Sequence, residues 1–213
     1  MKRAPTQPRA TPLSRLIDGE DEEPRATPLD ALKLARKKWI AGERIDIGEF
    51  ATELAVGRAT VFRWVGTREN LYGEVIATLF TLSLERALGE ARGHGLEHFF
   101  DVVERVLLAL VSSVPLRRFV EADPEFALRV LTSKHSPVQH RCVVAFRLEI
   151  ERHAAAGAMD PALPPEDLAY LLVRIVESFL YRDVITGAEP DMATALSAIR
   201  ILCTAKPEKK RRK

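Results

Sequence analysis

The chain has 213 residues, with 32 Lys+Arg against 30 Asp+Glu, for a formal charge of +2. That is enough chain for one or two domains with a real core, and so even a balance excludes a histone-like protein that holds nucleic acid by bulk charge. The two cysteines, Cys142 and Cys203, exclude a disulfide framework and suit a reducing, cytoplasmic setting.

The charge is unevenly spread. Residues 1–27 sum to zero, residues 28–75 to +1, residues 76–205 to −4 and residues 206–213 to +5. An acidic body is thus hidden by a basic tail, which is either a solvated end or a source of salt-sensitive attraction to nucleic acid. Apolar runs such as 106–111 are far too short to cross a bilayer. The start, Met1-Lys2-Arg3, leads into prolines and acids, so no secretory signal is expected.

Taken in order, residues 1–27 read as a disordered arm, with four prolines and the acidic stretch 20–23. The segment Pro8-Arg9-Ala10-Thr11-Pro12-Leu13-Ser14 is nearly repeated at Pro24-Arg25-Ala26-Thr27-Pro28-Leu29-Asp30. The second copy starts the fold: Thr27 suits an N-cap, Pro28 the first helical position and Asp30 the first turn. Leu32, Ala35 and Trp39 make a first helix that ends at Gly42. Asp46 caps a second helix, with Glu49 three residues on and Phe50 and Leu54 as its apolar stripe. A turn at 55–57 precedes a very short third helix, 58–65, stopped by Gly66. Thr67 caps a long fourth helix that carries Leu71, Val75, Ile76, Leu79, Leu82 and Leu88.

The larger region starts near Gly93-His94-Gly95. Leu96, Phe99, Phe100, Val103, Leu107 and Leu110 recur at helical spacing. Pro115 and Pro124 set off a short segment. Residues 126–131 read as a helix, and Ser136-Pro137 opens another to about Gly157. Beyond a loop at prolines 161, 164 and 165, residues 166–186 and 191–205 read as two more. No alternating strand appears. The expected architecture is all-α: a three-helix head over 28–75, then a body of about six helices over 76–205, with an arm at 1–27 and a basic tail at 206–213.

Residues 46–65 have helix-turn-helix proportions. Two helices this short must pack on the first to bury a core, with Val56, Val61 and Val65 facing in. Arg58, Ala59, Thr60, Phe62, Arg63 and Trp64 then face out, and an exposed Phe-Arg-Trp calls for a partner. A DNA major groove fits, because arginine reaches phosphate or guanine and apolar groups touch thymine methyls.

The stretch Gly57-Arg58-Ala59-Thr60-Val61-Phe62-Arg63-Trp64-Val65-Gly66-Thr67-Arg68-Glu69-Asn70-Leu71 resembles the recognition-helix signature of TetR-type repressors, Ser-Arg-x-Thr-Leu-Tyr-x-His-Phe followed by Ser/Thr-Lys-Glu-x-Leu. The motif-level match covers about residues 28–76. Residues 29–44, 129–139 and 177–181 are further similar to the branch named for quorum-signal degradation, the QsdR-like regulators. The sequence departs from the signature at four points. Gly57 replaces a serine cap, Ala55 stands where the turn usually has glycine and must avoid φ > 0 or bear strain, Phe62 replaces tyrosine, and Trp64 replaces histidine. The resemblance implies that Thr60, Arg63 and Trp64 contact DNA in the major groove, beside Ala59, Phe62 and Thr67. Arg58 and Arg68 would hold phosphates, Arg68 with help from the N-terminus of the fourth helix. Taken singly, Arg58 and Arg68 also read as plain solvated arginines.

TetR-type proteins use such a body to dimerise and to bind a small molecule. Residues 166–186 carry Leu168, Leu171, Leu172, Ile175, Val176, Phe179 and Leu180 on one face, and Tyr170 and Val173 on another, so burial on two sides is expected. With Met192, Leu196, Ile199, Leu202 and Cys203 on the last helix, they give a candidate four-helix dimer interface, in which Leu168, Leu172, Ile175, Phe179, Leu196, Ile199 and Leu202 would carry the contact. A dimer also matches a pseudo-palindromic operator.

The candidate effector pocket draws on Phe99, Phe100, Val103, Leu107, Phe119, Phe126, Cys142, Phe146 and Phe179, each of which equally suits plain core. Arg174, Glu177, Ser178 and Tyr181 recur at i+3, i+4 and i+7 and form either a polar anchor for a ligand or an interface ion pair. The resemblance implies a small apolar effector such as a lactone or acyl compound. Glu149 and His153 share a helix face at i, i+4, but one such pair is a weak metal signal. Neither paired Glu-x-x-His motifs nor a nucleophile with its base is present, so no metal, cofactor or enzymatic activity is expected. An all-α metal-dependent enzyme and a helical protein-interaction module are the alternatives.

Overall fold

A computed structural model describes residues 26–134 and 136–205. The arm through residue 25, the first copy of the near-repeat, the basic tail and His135 lie outside the described residues. Among the described residues there are eleven helices and no strand. The head contains α1 (Pro28–Ala41), α2 (Ile47–Glu53) and α3 (Arg58–Val65). It is followed by α4 (Arg68–Glu90), α5 (Leu96–Val111), α6 (Val114–Ala122), α7 (Pro124–Thr132), α8 (Pro137–Ala155), α9 (Pro165–Leu180), α10 (Arg182–Thr186) and α11 (Met192–Thr204).

Local chemistry sets the ends. Thr27 and Asp30 form a capping box at α1, with Pro28 behind the cap, and Gly42 closes the helix at φ 74°. The hydroxyl and amide of Thr27 hold the Asp30 carboxyl down to about 2. Asp46, Thr67 and Ser136 cap α2, α4 and α8 with their side-chain oxygens, as their sequence positions predict. Ala55 does take the left-handed conformation, at φ 53°. The tight α2–α3 turn imposes it, at a cost of about 1 kcal/mol for a residue with a Cβ.

The single helix expected over 166–186 is two. α9 stops at Leu180, and the buried Tyr181 sits between α9 and α10. Tertiary packing makes this break, because no Gly or Pro occurs there until Gly187. The body also has one more helix than expected after α4.

Helix α4 is the spine. Its 23 residues run about 35 Å at 1.5 Å per residue. Its first half (Leu71, Tyr72, Val75, Ile76) joins a core shared by α1, α2, α3, α6, α7 and the start of α8. Its second half (Phe80, Leu84, Ala87) joins a second core with α5, α8, α9 and α11. The expected boundary between residues 75 and 76 falls inside a continuous helix, and the first of the two cores takes residues from both sides of it.

Two details tie the head to this spine. Lys38 of α1 reaches Glu53 of α2 at 2.8 Å. The buried Ile45 N–H, between α1 and α2, donates to the Tyr72 hydroxyl of α4 at 2.9 Å. Replacing Tyr72 by phenylalanine leaves that amide buried without an acceptor and is expected to cost about 1–3 kcal/mol, as read by denaturant unfolding. A loss below about 0.3 kcal/mol would show that Ile45 N–H finds another partner.

At Gly73, α4 lies close against the start of α8. A Cβ there would lie 2.5 Å from the Ser136 hydroxyl and 2.6 Å from Pro137 Cδ. Glycine is unfavourable in a helix interior by about 1 kcal/mol relative to alanine, and this close approach is what it permits.

Candidate functional site

The head presents α3 edge-on. Val61 is fully buried, while Arg58, Ala59, Phe62 and Arg63 form one exposed stripe along the outer side, and Thr60 is half-buried. Phe62 remains 45% exposed among the described residues. Trp64 departs from the sequence expectation. It lies three residues after Val61, on the same side of the helix, and packs half-buried against the head core with Val56 and Val65. Its place in the outward set is therefore corrected: its indole supports α3 from behind.

Arg68 is half-buried. Its guanidinium turns back over the rings of Phe126 (4.6 Å) and Tyr72 (5.4 Å), and its Nε is buried without a hydrogen-bond partner. Thr67 is exposed, with its hydroxyl accepting from Asn70 N–H at 3.0 Å to cap α4.

The body holds a narrow, mostly apolar cavity of about 60 Å³ between α4, α5, α8 and α9. Of the residues expected at a pocket, Leu107, Cys142, Phe146, Glu177 and Tyr181 line it. Phe100 and Val103 are instead core, with the Arg200 guanidinium 4.6 Å over the Phe100 ring. Phe119 and Phe126 belong to a separate aromatic group at the head–body joint. Ser178 points outward and its hydroxyl donates to the Arg174 carbonyl of its own helix at 2.8 Å, so it is corrected out of the cavity. Arg174 is partly exposed and reaches the cavity only through Glu177, at 2.7 Å.

Glu177 is thus the polar, titratable end of an apolar chamber. Gln139, not among the expected pocket residues, also donates to its carboxylate. Burial pushes the Glu177 carboxyl up to about 7, against the pull of Arg174 and Gln139. Burial first, and Glu177 second, raises the Cys142 thiol to about 12 and the Tyr181 phenol well above its usual range. Cys142 is therefore a neutral wall residue rather than a nucleophile.

The sign of the linkage follows. Between about pH 4.5 and 7 the folded protein holds a proton on Glu177 that the unfolded chain has released, so this group's contribution to stability is lost as pH rises through that window. Glu177→Gln is expected to remove that loss, giving a variant whose stability relative to the parent rises between pH 5 and 8 by up to about 3 kcal/mol. Denaturant melts at both pH values read it; a constant difference would show that Glu177 titrates normally.

The dimer expectation divides. Leu168, Leu172 and Ile199 are 1%, 1% and 0% exposed within the protomer, because α5 and α8 cover them. They are corrected to core. Ile175, Phe179, Leu196 and Leu202 are half-buried, and Tyr170 (51%) and Ile201 (70%) stand free on the outer faces of α9 and α11. In the Glu149–His153 pair, the Glu149 carboxylate pairs with Arg152, and His153 Nδ1 faces the Glu149 carbonyl at 2.8 Å. No group of three or more potential metal ligands occurs among the described residues. Nor is any described helix long and apolar enough to cross a membrane.

A family model described as the C-terminal domain of tetracyclin repressor-like proteins matches residues 94–204. Among solved structures, the chain is similar to the transcriptional repressor QsdR of R. erythropolis, from the TetR family. The TM-score is 0.79 at 28% sequence identity, over 86% of this chain and 97% of that one. The curated proteins contain no match. The family model spans more than half of the chain and the structural match takes in the helix-turn-helix head, so the chain belongs to the TetR family of DNA-binding transcription regulators.

Proposed function

We propose that this protein is a dimeric repressor that a small, largely apolar effector releases from a pseudo-palindromic operator. The observation that carries this reading is the outer stripe of α3. Arg58, Ala59, Phe62 and Arg63 are exposed together on a helix whose other side is locked into the head by Val61 and Trp64. A rigid helix with arginines and an uncovered aromatic ring is suited to the major groove. Arg63 and Thr60 are the base-reading candidates, and Arg58 is the phosphate-holding one.

The dimer would form through the outer faces of α9 and α11, with Tyr170, Ile175, Phe179, Leu196, Ile201 and Leu202 at the contact. The effector would enter the chamber ended by Glu177 and Tyr181. That chamber is well below the roughly 150 Å³ of an apolar cavity that admits benzene, so a ligand must part its walls. The wall residues Ile76 and Phe80 lie on α4, the helix that carries the head. Parting them would move the two heads of a dimer relative to each other, and the operator would no longer fit both. A lactone or acyl compound, with an apolar body and one polar group, fits the chemistry of that lining.

Fluorescence anisotropy with DNA from upstream of the protein's own gene tests the reading. The expected result is binding at least about 1000-fold tighter than to scrambled DNA, with affinity falling steeply with salt, and loss of binding when the effector is added. Equal affinity for both DNAs, or none at low salt, would overturn it.

A further inference from the structure

Where the head meets the body, a second cavity of about 150 Å³ opens between α1, α4, α6 and α7. Its walls are four aromatic rings in mutual contact. Trp39 lies 4.9 Å from Phe119, Tyr72 stacks on Phe119 at 5.1 Å, and Phe126 meets Tyr72 edge-on at 5.4 Å. Such a box offers ring faces and edges to an aromatic guest.

Five charged residues share the lining: Glu43, Arg44, Arg68, Arg118 and Asp123. Both acids are engaged. Glu43 pairs with Lys38 at 3.5 Å, and Asp123 caps α7 by accepting from Phe126 N–H at 3.0 Å. The three arginines form no ion pair among the described residues, and the buried Arg68 Nε has no acceptor. A buried guanidinium N–H without a partner costs free energy that an anionic oxygen would recover.

We propose that this joint is a second ligand site, separate from the body chamber, and that it takes a small aromatic carboxylate. The ring fills the box and the carboxylate pairs with Arg68 and its neighbour Arg118. The cavity matches the volume that admits benzene, and it joins four aromatic rings to guanidinium groups that form no ion pair among the described residues. Because Trp39 and Tyr72 come from the head side and Phe119 and Phe126 from the body, an occupant fixes one head-to-body arrangement. That consequence for DNA rests on the repressor reading; the binding itself does not.

The test uses the full chain with Trp64→Phe, so that Trp39 is the remaining one of the two tryptophans, titrated with sodium benzoate. Saturable quenching is expected with a Kd at or below about 1 mM. Benzyl alcohol and sodium acetate should bind about tenfold or more weakly, and Arg68→Gln and Arg118→Gln should each weaken benzoate by about tenfold. Glu177→Gln in the body chamber should leave its affinity unchanged. Calorimetry on the parent chain gives the same Kd independently of fluorescence. No saturable binding, equal binding of benzyl alcohol, or a loss caused by Glu177→Gln but by neither arginine variant would overturn the proposal. With DNA present, benzoate should change operator affinity by about threefold or more. A protein that binds benzoate but no DNA would keep this site and sink the repressor reading.

Discussion

Replacing Arg63 by alanine is expected to weaken operator binding by about 30-fold or more while leaving the fold intact. Arg63 lies on the exposed stripe of α3, and no ion pair restrains it among the described residues. A bidentate arginine–base contact is worth about 1–3 kcal/mol, and a two-headed complex uses it twice, for about 2–6 kcal/mol in all. Thermal stability should change by less than about 0.5 kcal/mol, because a solvated side chain is lost. Binding curves at two salt concentrations separate the roles. If Arg63 reads a base, specificity relaxes at one position of each half-site and the salt slope barely moves. If it holds a phosphate, all sequences weaken alike and the slope falls by about one unit per contact.

Phe50→Ala is expected to have the largest effect on stability. The Phe50 side chain is completely buried in the core that α1, α2 and α3 share with α4. The lost ring and the cavity left behind cost about 3–5 kcal/mol, a large part of the roughly 5–15 kcal/mol that holds a domain folded. Because this core also includes Leu116, Val120 and Phe126 from the body, the damage should reach beyond the head. Denaturant unfolding should show an earlier transition for α1 to α4 and abolished DNA binding. A loss under about 1 kcal/mol would mean that the two cores are not partitioned along α4 as described.

The ends of helices were legible in the sequence wherever a side chain makes them. Thr27, Asp46, Thr67 and Ser136 cap where their spacing predicts, because capping depends on a hydroxyl or carboxylate and the next three residues. The break at Tyr181 was not legible, since it comes from burial of that ring among distant helices. Periodicity likewise shows that α9 and α11 are apolar on broad faces but not what covers them. Their spacing sets Leu168, Leu172 and Ile199 among the dimer-contact candidates, whereas the chain's own second core buries them.

Helix α3 shows the same limit at single-residue scale. Arg58, Phe62 and Arg63 are exposed as their positions in the motif predict, but Trp64, three residues after Val61, falls on the side that packs against the head core. The body chamber was partly legible through Glu177 and Tyr181, which are polar residues set in an apolar helix. Gln139 and the aromatic joint were not, because they assemble from helices far apart in sequence, and no local pattern announces a contact between residues 39, 72, 119 and 126.

Hydroxyl-radical footprinting of the full-length protein on its upstream DNA tests the central claim most directly. Two heads of one dimer, each placing α3 in a major groove, should protect two patches related by a two-fold axis and about one helical turn, or a multiple of it, apart. Arg63→Ala should remove both patches together. A single patch, uniform protection along the duplex, or a footprint unchanged by Arg63→Ala would contradict the account.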